Sequence, residues 1–293
     1  MTTQSPKLLF IINPASGDDR TDWRKEIESY FEGRAVAFEL YDLPKENGII
    51  TIKALIEEKK PDKVIAVGGD GTVKLLAECL YNTSTVLGIL PAGSANGMAK
   101  ELNISNDPQT ALSIILEGAV RKIHLLKING ELCIHLSDIG FNAYVVKKFQ
   151  DENKKGMWGY IKSAWKVLWQ HSKMIVELKM DDKYVSNEAA MVVIANASRY
   201  GNGVVINPKG SLFDNLFEVV IIKRISFVEI FKMRFTQKNF NPQKTSLYQT
   251  GWIRIESNTK VHFQIDGEYR GRINKLSAEI IPEALHILMP FEK

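Results

Sequence analysis

The chain has 293 residues, 45% hydrophobic and 25% charged, with 38 basic and 34 acidic residues and a formal net charge of +4. That is the makeup of a globular protein with one large core or two ordinary ones, and its charge is too mild for a nucleic-acid binder, though it suits an anionic ligand or membrane surface. Cys79 and Cys133 form no CxxC, the histidines form no HExxH, and no run approaches the roughly 18 to 20 apolar residues of a membrane span. A zinc site and a spanning helix are therefore excluded, and the apolar run Leu8 to Ile12 is too short for a signal-peptide core. A cytoplasmic protein with two reduced, buried cysteines is expected.

Leu8 to Ile12 reads as a buried strand ending in the turn-rich loop Asn13-Pro14-Ala15-Ser16-Gly17. Thr21 is a candidate N-cap for a helix with Trp23, Ile27, Tyr30 and Phe31 on one face. Ala35 to Leu40 reads as a second strand and Ile49 to Lys60 as a second helix, stopped by Pro61. Val64 to Val67 is a strand buried on both faces, followed by Gly68-Gly69-Asp70-Gly71-Thr72 and a helix from Val73 to Leu80. Val86 to Leu90 is the next strand. It runs into Pro91-Ala92-Gly93-Ser94-Ala95-Asn96-Gly97 and a short helix, Met98 to Leu102. Asp107-Pro108 fits an N-cap with proline at N1, opening a helix to about Glu117.

This alternation predicts a parallel sheet with helices on both faces. Three small-residue loops then follow three strand ends, at the carboxyl edge where open α/β sheets bind ligands. Gly68, Gly69 and Gly71 are expected to take positive φ and to let a ligand approach the backbone. The following helix aims its free N–H groups and dipole at the turn. Asp70 is a carboxylate in a place built for anions, which makes sense if a cation or a proton transfer is involved. GxxxxGK[ST] is absent, and no GxGxxG follows a strand. Phosphates can still be held by backbone N–H groups, with hydroxyls from Thr72 and Ser94 and side-chain amides from Asn13 and Asn96.

The pattern changes near Arg121. Ile123 to Ile128 and Glu131 to Leu136 flank Asn129-Gly130, a two-residue hairpin turn. Strand-like runs follow at Met174 to Met180, Ala189 to Ala195, Phe217 to Ile222, Trp252 to Glu256, Lys260 to Ile265, Ala278 to Ile281 and Leu285 to Met289. The second half therefore reads as antiparallel β, a sandwich or barrel. Helical stretches interrupt it at Met157 to Gln170, with Trp158, Ile161, Trp165, Leu168 and Trp169 on one side, and at Phe227 to Phe235. The tryptophans lie beside Lys162 and Lys166, a combination that suits peripheral contact with an anionic membrane as well as a core helix.

NPASG, VGGDGT and LPAGSAN, in this order, resemble the nucleotide loops of the diacylglycerol and sphingosine kinase family of lipid kinases. The resemblance continues through IGFNA (Ile139 to Ala143), IANASRYGNG (Ile194 to Gly203), SLFDNLFEVV (Ser211 to Val220) and IDGE (Ile265 to Glu268). GGDGT alone is shared with NAD kinases; the full set is specific. The resemblance implies an α/β nucleotide domain, residues 1–125, and a β-sandwich lipid-substrate domain, residues 126–293, with the active site in the cleft between. It implies ATP and Mg2+ as cofactors and a lipid hydroxyl as acceptor. ATP would meet Asn13, Pro14, Ala15, Ser16, Gly17, Gly68, Gly69, Asp70, Gly71, Thr72, Ser94 and Asn96. Magnesium would meet the Asp214 side chain and the carbonyls of Ser211 and Leu216. Glu268 matches the general base of bacterial members, and Asp70 the aspartate given that role in the sphingosine kinase branch.

The chain departs from the family at Lys74 and Leu75, where Asn and Glu are usual, at Asp18 and Asp19, which precede Arg20 after the first loop, and at Asn215, where Gly is usual. These positions bear on phosphate contacts, metal affinity and turnover. Two other readings stay open: a NAD kinase-like enzyme acting on a soluble acceptor, and a catalytically weak nucleotide- or lipid-binding protein. Asp70→Asn is isosteric, so the sequence alone predicts lost activity with unchanged stability.

Overall fold

A computed structural model describes residues 6–16, 21–151, 173–181, 183–197, 199–200, 204–205, 210–224 and 244–291. Gly17, the tryptophan–lysine stretch 157–170 and the stretch 227–235 lie outside the described residues. The chain divides into two compact units, Met1–Ile123 with Glu283–Lys293, and His124–Pro282.

In the first unit, β1 (Leu8–Ile12), α1 (Trp23–Phe31), β2 (Phe38–Asp42), α2 (Gly48–Lys59), β3 (Lys63–Gly68), α3 (Asp70–Leu80) and β4 (Val86–Pro91) alternate as the sequence predicts. The strands lie parallel in the order β2-β1-β3-β4, with Phe10 opposite both Leu40 and Ile65, and Val67 opposite Leu90. The β-branched run Val64 to Val67 is buried throughout because helices cover both faces. β1 has successive neighbours on opposite sides, so the order reverses between β1 and β3, the switch point that opens a crevice at the carboxyl edge.

The cap of α1 is Asp22, not Thr21: the Asp22 carboxylate accepts from Lys25 N at 3.2 Å. Asp107 caps α5 (Pro108–Glu117) as expected, through Thr110 N at 2.9 Å. Between them lies the short α4 (Gly97–Glu101). The final segment also belongs to this unit, although the sequence reading puts everything after residue 125 in the second domain. Ile287 pairs in parallel with Leu87, and Asn82 N donates to Ala284 O at 3.0 Å.

The second unit is antiparallel. β5 (Ala119–Ile128) and β6 (Glu131–Cys133) form the expected hairpin, with Asn129 and Gly130 at φ 48° and 90°. β7 (Leu136–Gly140) leads into α6 (Phe141–Asp151), a helix the sequence reading lacks. Gly140 is obligatory at this junction: its φ is 101°, and a Cβ would meet the Ala190 carbonyl oxygen at 2.5 Å. β8 (Met174–Met180) pairs with β9 (Lys183–Ala189), and β10 (Met191–Ala195) with β7 and β13 (Phe217–Ile222). A small β11–β12 pair (Arg199–Tyr200, Val204–Val205) precedes β13, and β14 (Thr245–Thr250) follows it.

The runs read as separate strands after Trp252 are two long ones, β15 (Trp252–Ile265) and β16 (Glu268–Met289). β15 follows β8 through residues 254–257 and β7 through 263–265, with irregular register between. Such a bend lets one strand serve two layers. The core between them joins Val176 and Leu178 to Ile139, Val192, Ile194, Phe217, Val219 and Ile221. Alternation along β8 sends every second residue inward, as a half-exposed strand requires.

Candidate active site

Three loops of the first unit meet at the carboxyl ends of β1, β3 and β4. Asn13 N donates to Val67 O at 3.0 Å, and Asn13 Nδ2 to Thr72 Oγ1 at 2.9 Å. Asn13 Oδ1 accepts from Ala15 N at 3.0 Å, and Ser16 Oγ donates to Asn13 O at 2.9 Å. The Asn13 amide thus shapes its own loop and ties it to α3. Asn96 behaves alike: in the left-handed region at φ 50°, it accepts from Gly93 N at 2.9 Å and donates to Gly93 O at 2.8 Å. Both amides are engaged within and between the loops, at the positions where the sequence reading expects ATP contacts. Pro14 and Ser94 are exposed at the loop tips.

Gly68, Gly69 and Gly71 do not take the expected positive φ; Gly69 is extended at φ −92° and ψ −169°. Two of these glycines are needed for close packing. A Cβ on Gly68 would collide with the Thr72 side chain, and one on Gly69 would meet Gly93 Cα at 3.2 Å. Gly71 differs: it is exposed, and a Cβ there would meet nothing within 4 Å. The amides of Gly69, Asp70 and Gly71 open α3 and have no intrahelical acceptors.

The Asp70 side chain is engaged by the third loop. Its Oδ2 accepts from Gly97 N and its Oδ1 from Met98 N, each at 3.0 Å. The carboxylate caps α4, and the partial positive charge of that helix start favours its charge. Asp70 therefore joins the second loop to the third. Lys74, one turn further along α3, is buried at 4% exposure.

The remaining residues expected from the sequence belong to the second unit. Asp214 Oδ1 accepts from Leu216 N at 3.3 Å, and Ser211 Oγ from Phe213 N at 3.1 Å, so residues 211–216 form a tight turn before β13. Among the described residues no three His, Cys, Asp or Glu side chains cluster as metal ligands. A cation at this turn would rely on one carboxylate and backbone carbonyls. That all-oxygen set fits magnesium, which keeps several waters.

Glu268 opens β16 directly after the Asp266-Gly267 turn. Its Oε2 accepts from Arg270 Nη2 at 2.6 Å, while Arg270 Nε donates to Glu131 Oε2 at 2.7 Å. Burial opposes the charge on Arg270, but its two carboxylate partners outweigh this and hold the guanidinium above its ordinary range. Asp266 is an anchor: it accepts from the amides of Ile134, His135 and Leu136 at 3.1, 3.0 and 3.1 Å.

A buried polar group that no local motif marks adjoins this hairpin. Asp138 is wholly buried and accepts at Oδ2 from Asn142 Nδ2 at 2.6 Å and Gln264 Nε2 at 2.5 Å. Its one signal is a charged residue between Leu136 and Ile139 in the short segment LSDIG.

The family of the diacylglycerol kinase catalytic domain matches residues 7–128, and that of the YegS C-terminal NAD kinase beta sandwich-like domain matches residues 137–289. The diacylglycerol kinase of Bacillus subtilis is 24% identical over 240 residues, 79% of each chain. That of Staphylococcus saprophyticus is 23% identical over 273 residues, 90% of this chain and 89% of its own. A crystal structure of a diacylglycerol kinase from Bacillus anthracis superposes with a TM-score of 0.74 at 17% identity, covering 98% of both chains. No helix among the described residues is long and apolar enough to cross a membrane. With an α/β catalytic half and a β-sandwich half each matched along its length, the chain belongs to the diacylglycerol kinase family of lipid kinases.

Proposed function

We propose that the chain transfers the γ-phosphate of ATP to the hydroxyl of a diacylglycerol or sphingoid lipid with the help of Mg2+. In this reading the unit bearing the three loops takes the nucleotide, and the β unit takes the lipid. The observation that carries it is the free amide end of α3, beside an exposed Gly71 with open space where a side chain would stand.

Phosphoryl transfer asks for positioning and charge stabilisation more than for covalent help. The amides of Gly69, Asp70 and Gly71 bind phosphate oxygens, and Asn13 and Asp70 hold the three loops in register around them. Magnesium, when bound, supplies positive charge against the phosphates; Asp214 and the carbonyls of Ser211 and Leu216 are the groups to hold it. Glu268 takes the proton of the acceptor hydroxyl as general base. Asp70, with both oxygens already accepting backbone amides, serves better as the tie between loops than as that base.

The test incubates the protein with labelled ATP and magnesium against diacylglycerol in micelles, a sphingoid base in micelles, and NAD in buffer. Label in the organic phase is expected, and the acceptor carrying it names the lipid class. Label in NADP alone overturns the reading in favour of a NAD kinase-like enzyme. ATP binding without transfer to any of the three counts for a binding protein.

A further inference from the structure

We infer that Gln264 is a positioning residue for Glu268, itself oriented by the buried Asp138 carboxylate; this rests on the reading of Glu268 as the base. Glu268 stands at the end of a two-residue turn, paired with Ile265, and both turn residues are left-handed, Asp266 at φ 49° and Gly267 at φ 83°. An Asp-Gly pair forms such a turn unaided. The turn here carries more than it needs to form. Asp266 ties its first residue to the amides of Ile134, His135 and Leu136. Gln264 Oε1 accepts from the second, Gly267 N, at 2.7 Å.

The Gln264 side chain is 1% exposed, and each end is committed within the protein. Its amide could sit in either of two orientations, and only one presents oxygen to Gly267 N. Asp138 selects that one. Its Oδ2 accepts from Gln264 Nε2 at 2.5 Å and from Asn142 Nδ2 at 2.6 Å, so the NH2 must face Asp138 and the oxygen must face the turn. Ser137 Oγ holds the Gln264 backbone carbonyl at 2.6 Å. The result is a continuous polar path from α6 through β7 and β15 to the amide of Gly267, the residue before Glu268. A carboxylate acting as base gains from such restraint, since a displacement of about an ångström can cost a hundredfold in rate.

The test compares wild type, Gln264→Leu, Gln264→Glu and Glu268→Gln in full-length protein, with magnesium, labelled ATP and the lipid acceptor. Gln264→Leu is expected to lower kcat by about tenfold to a hundredfold with the KM for ATP unchanged, and to speed amide exchange at Gly267 while β10 keeps its protection. Gln264→Glu conserves size but can donate to Asp138 only when a proton is shared between them. Its kcat relative to wild type should therefore rise as pH falls. Taking the ratio removes what the neighbouring His262 on β15 and Tyr269 across on β16 contribute to both proteins. A folded Gln264→Leu with wild-type kcat overturns the inference, as does a Gln264→Glu ratio that is flat with pH. Should Gln264→Leu fail to fold, the Gln264→Glu ratio alone decides. Wild-type activity in Glu268→Gln would instead overturn the reading of Glu268 as base, and this inference with it.

Discussion

Replacing Asp70 with asparagine tests whether that carboxylate is a structural tie. Asn keeps the shape but turns one acceptor into an NH2 donor. Whichever way it is rotated, an NH2 then faces either Gly97 N or Met98 N, each now 3.0 Å from a carboxylate oxygen. One charge-assisted bond is lost and the other becomes neutral. Bonds to a charged acceptor contribute roughly 1.5 to 3 kcal/mol each, and the partial exposure of Asp70 favours the lower end, so the expected loss is about 2 kcal/mol. For a chain of 293 residues that lowers Tm by about 3 °C. The assay is a thermal melt followed by circular dichroism, alongside calorimetric titration with ATP. Affinity for ATP should fall as well, because Asp70 holds the third loop against the second. An unchanged Tm with activity abolished would refute the reasoning. It would mean that the two amide bonds add nothing and that the carboxylate acts on the reactants.

Gly93→Ala should weaken ATP binding at least tenfold and destabilise the fold by about 1 to 3 kcal/mol, because its Cβ would overlap backbone at Gly69 rather than a side chain able to move. Gly71→Ala should do the reverse to stability, raising it by up to about 1 kcal/mol through helix propensity while still weakening ATP binding; equal affinity for ATP would show that the space at Gly71 is not used. Asp214→Ala should raise the magnesium concentration needed for half-maximal rate several-fold, read from a magnesium titration of lipid phosphorylation, and an unchanged curve would remove Asp214 from the metal site.

Local signals were enough to expose most of the first unit. Buried β-branched runs, proline stops and the Asp107-Pro108 start are each decided within a few residues, so β1, β3, β4 and α5 appear where the chain alone indicates. The same holds for the Asn129-Gly130 hairpin, where two left-handed residues are demanded by the turn itself. The positions of the loops NPASG, GGDGT and LPAGSAN were also visible, because strand, turn and helix follow each other directly. What the loop side chains do was not visible. Asp70 reads as a free carboxylate until Gly97 and Met98, distant in sequence, are brought to it, and the glycines read as left-handed until Gly69 is found packed against Gly93. The β half was harder to divide. β15 and β16 keep hydrogen bonding through irregular register, so Asn258, which looks like a break, lies inside a continuous strand. The return of Ile287 to Leu87, the burial of Asp138 and its bond to Gln264 depend on long-range pairing of strands. Such pairing is set by the energy of the whole sheet, and no local pattern of residues encodes it.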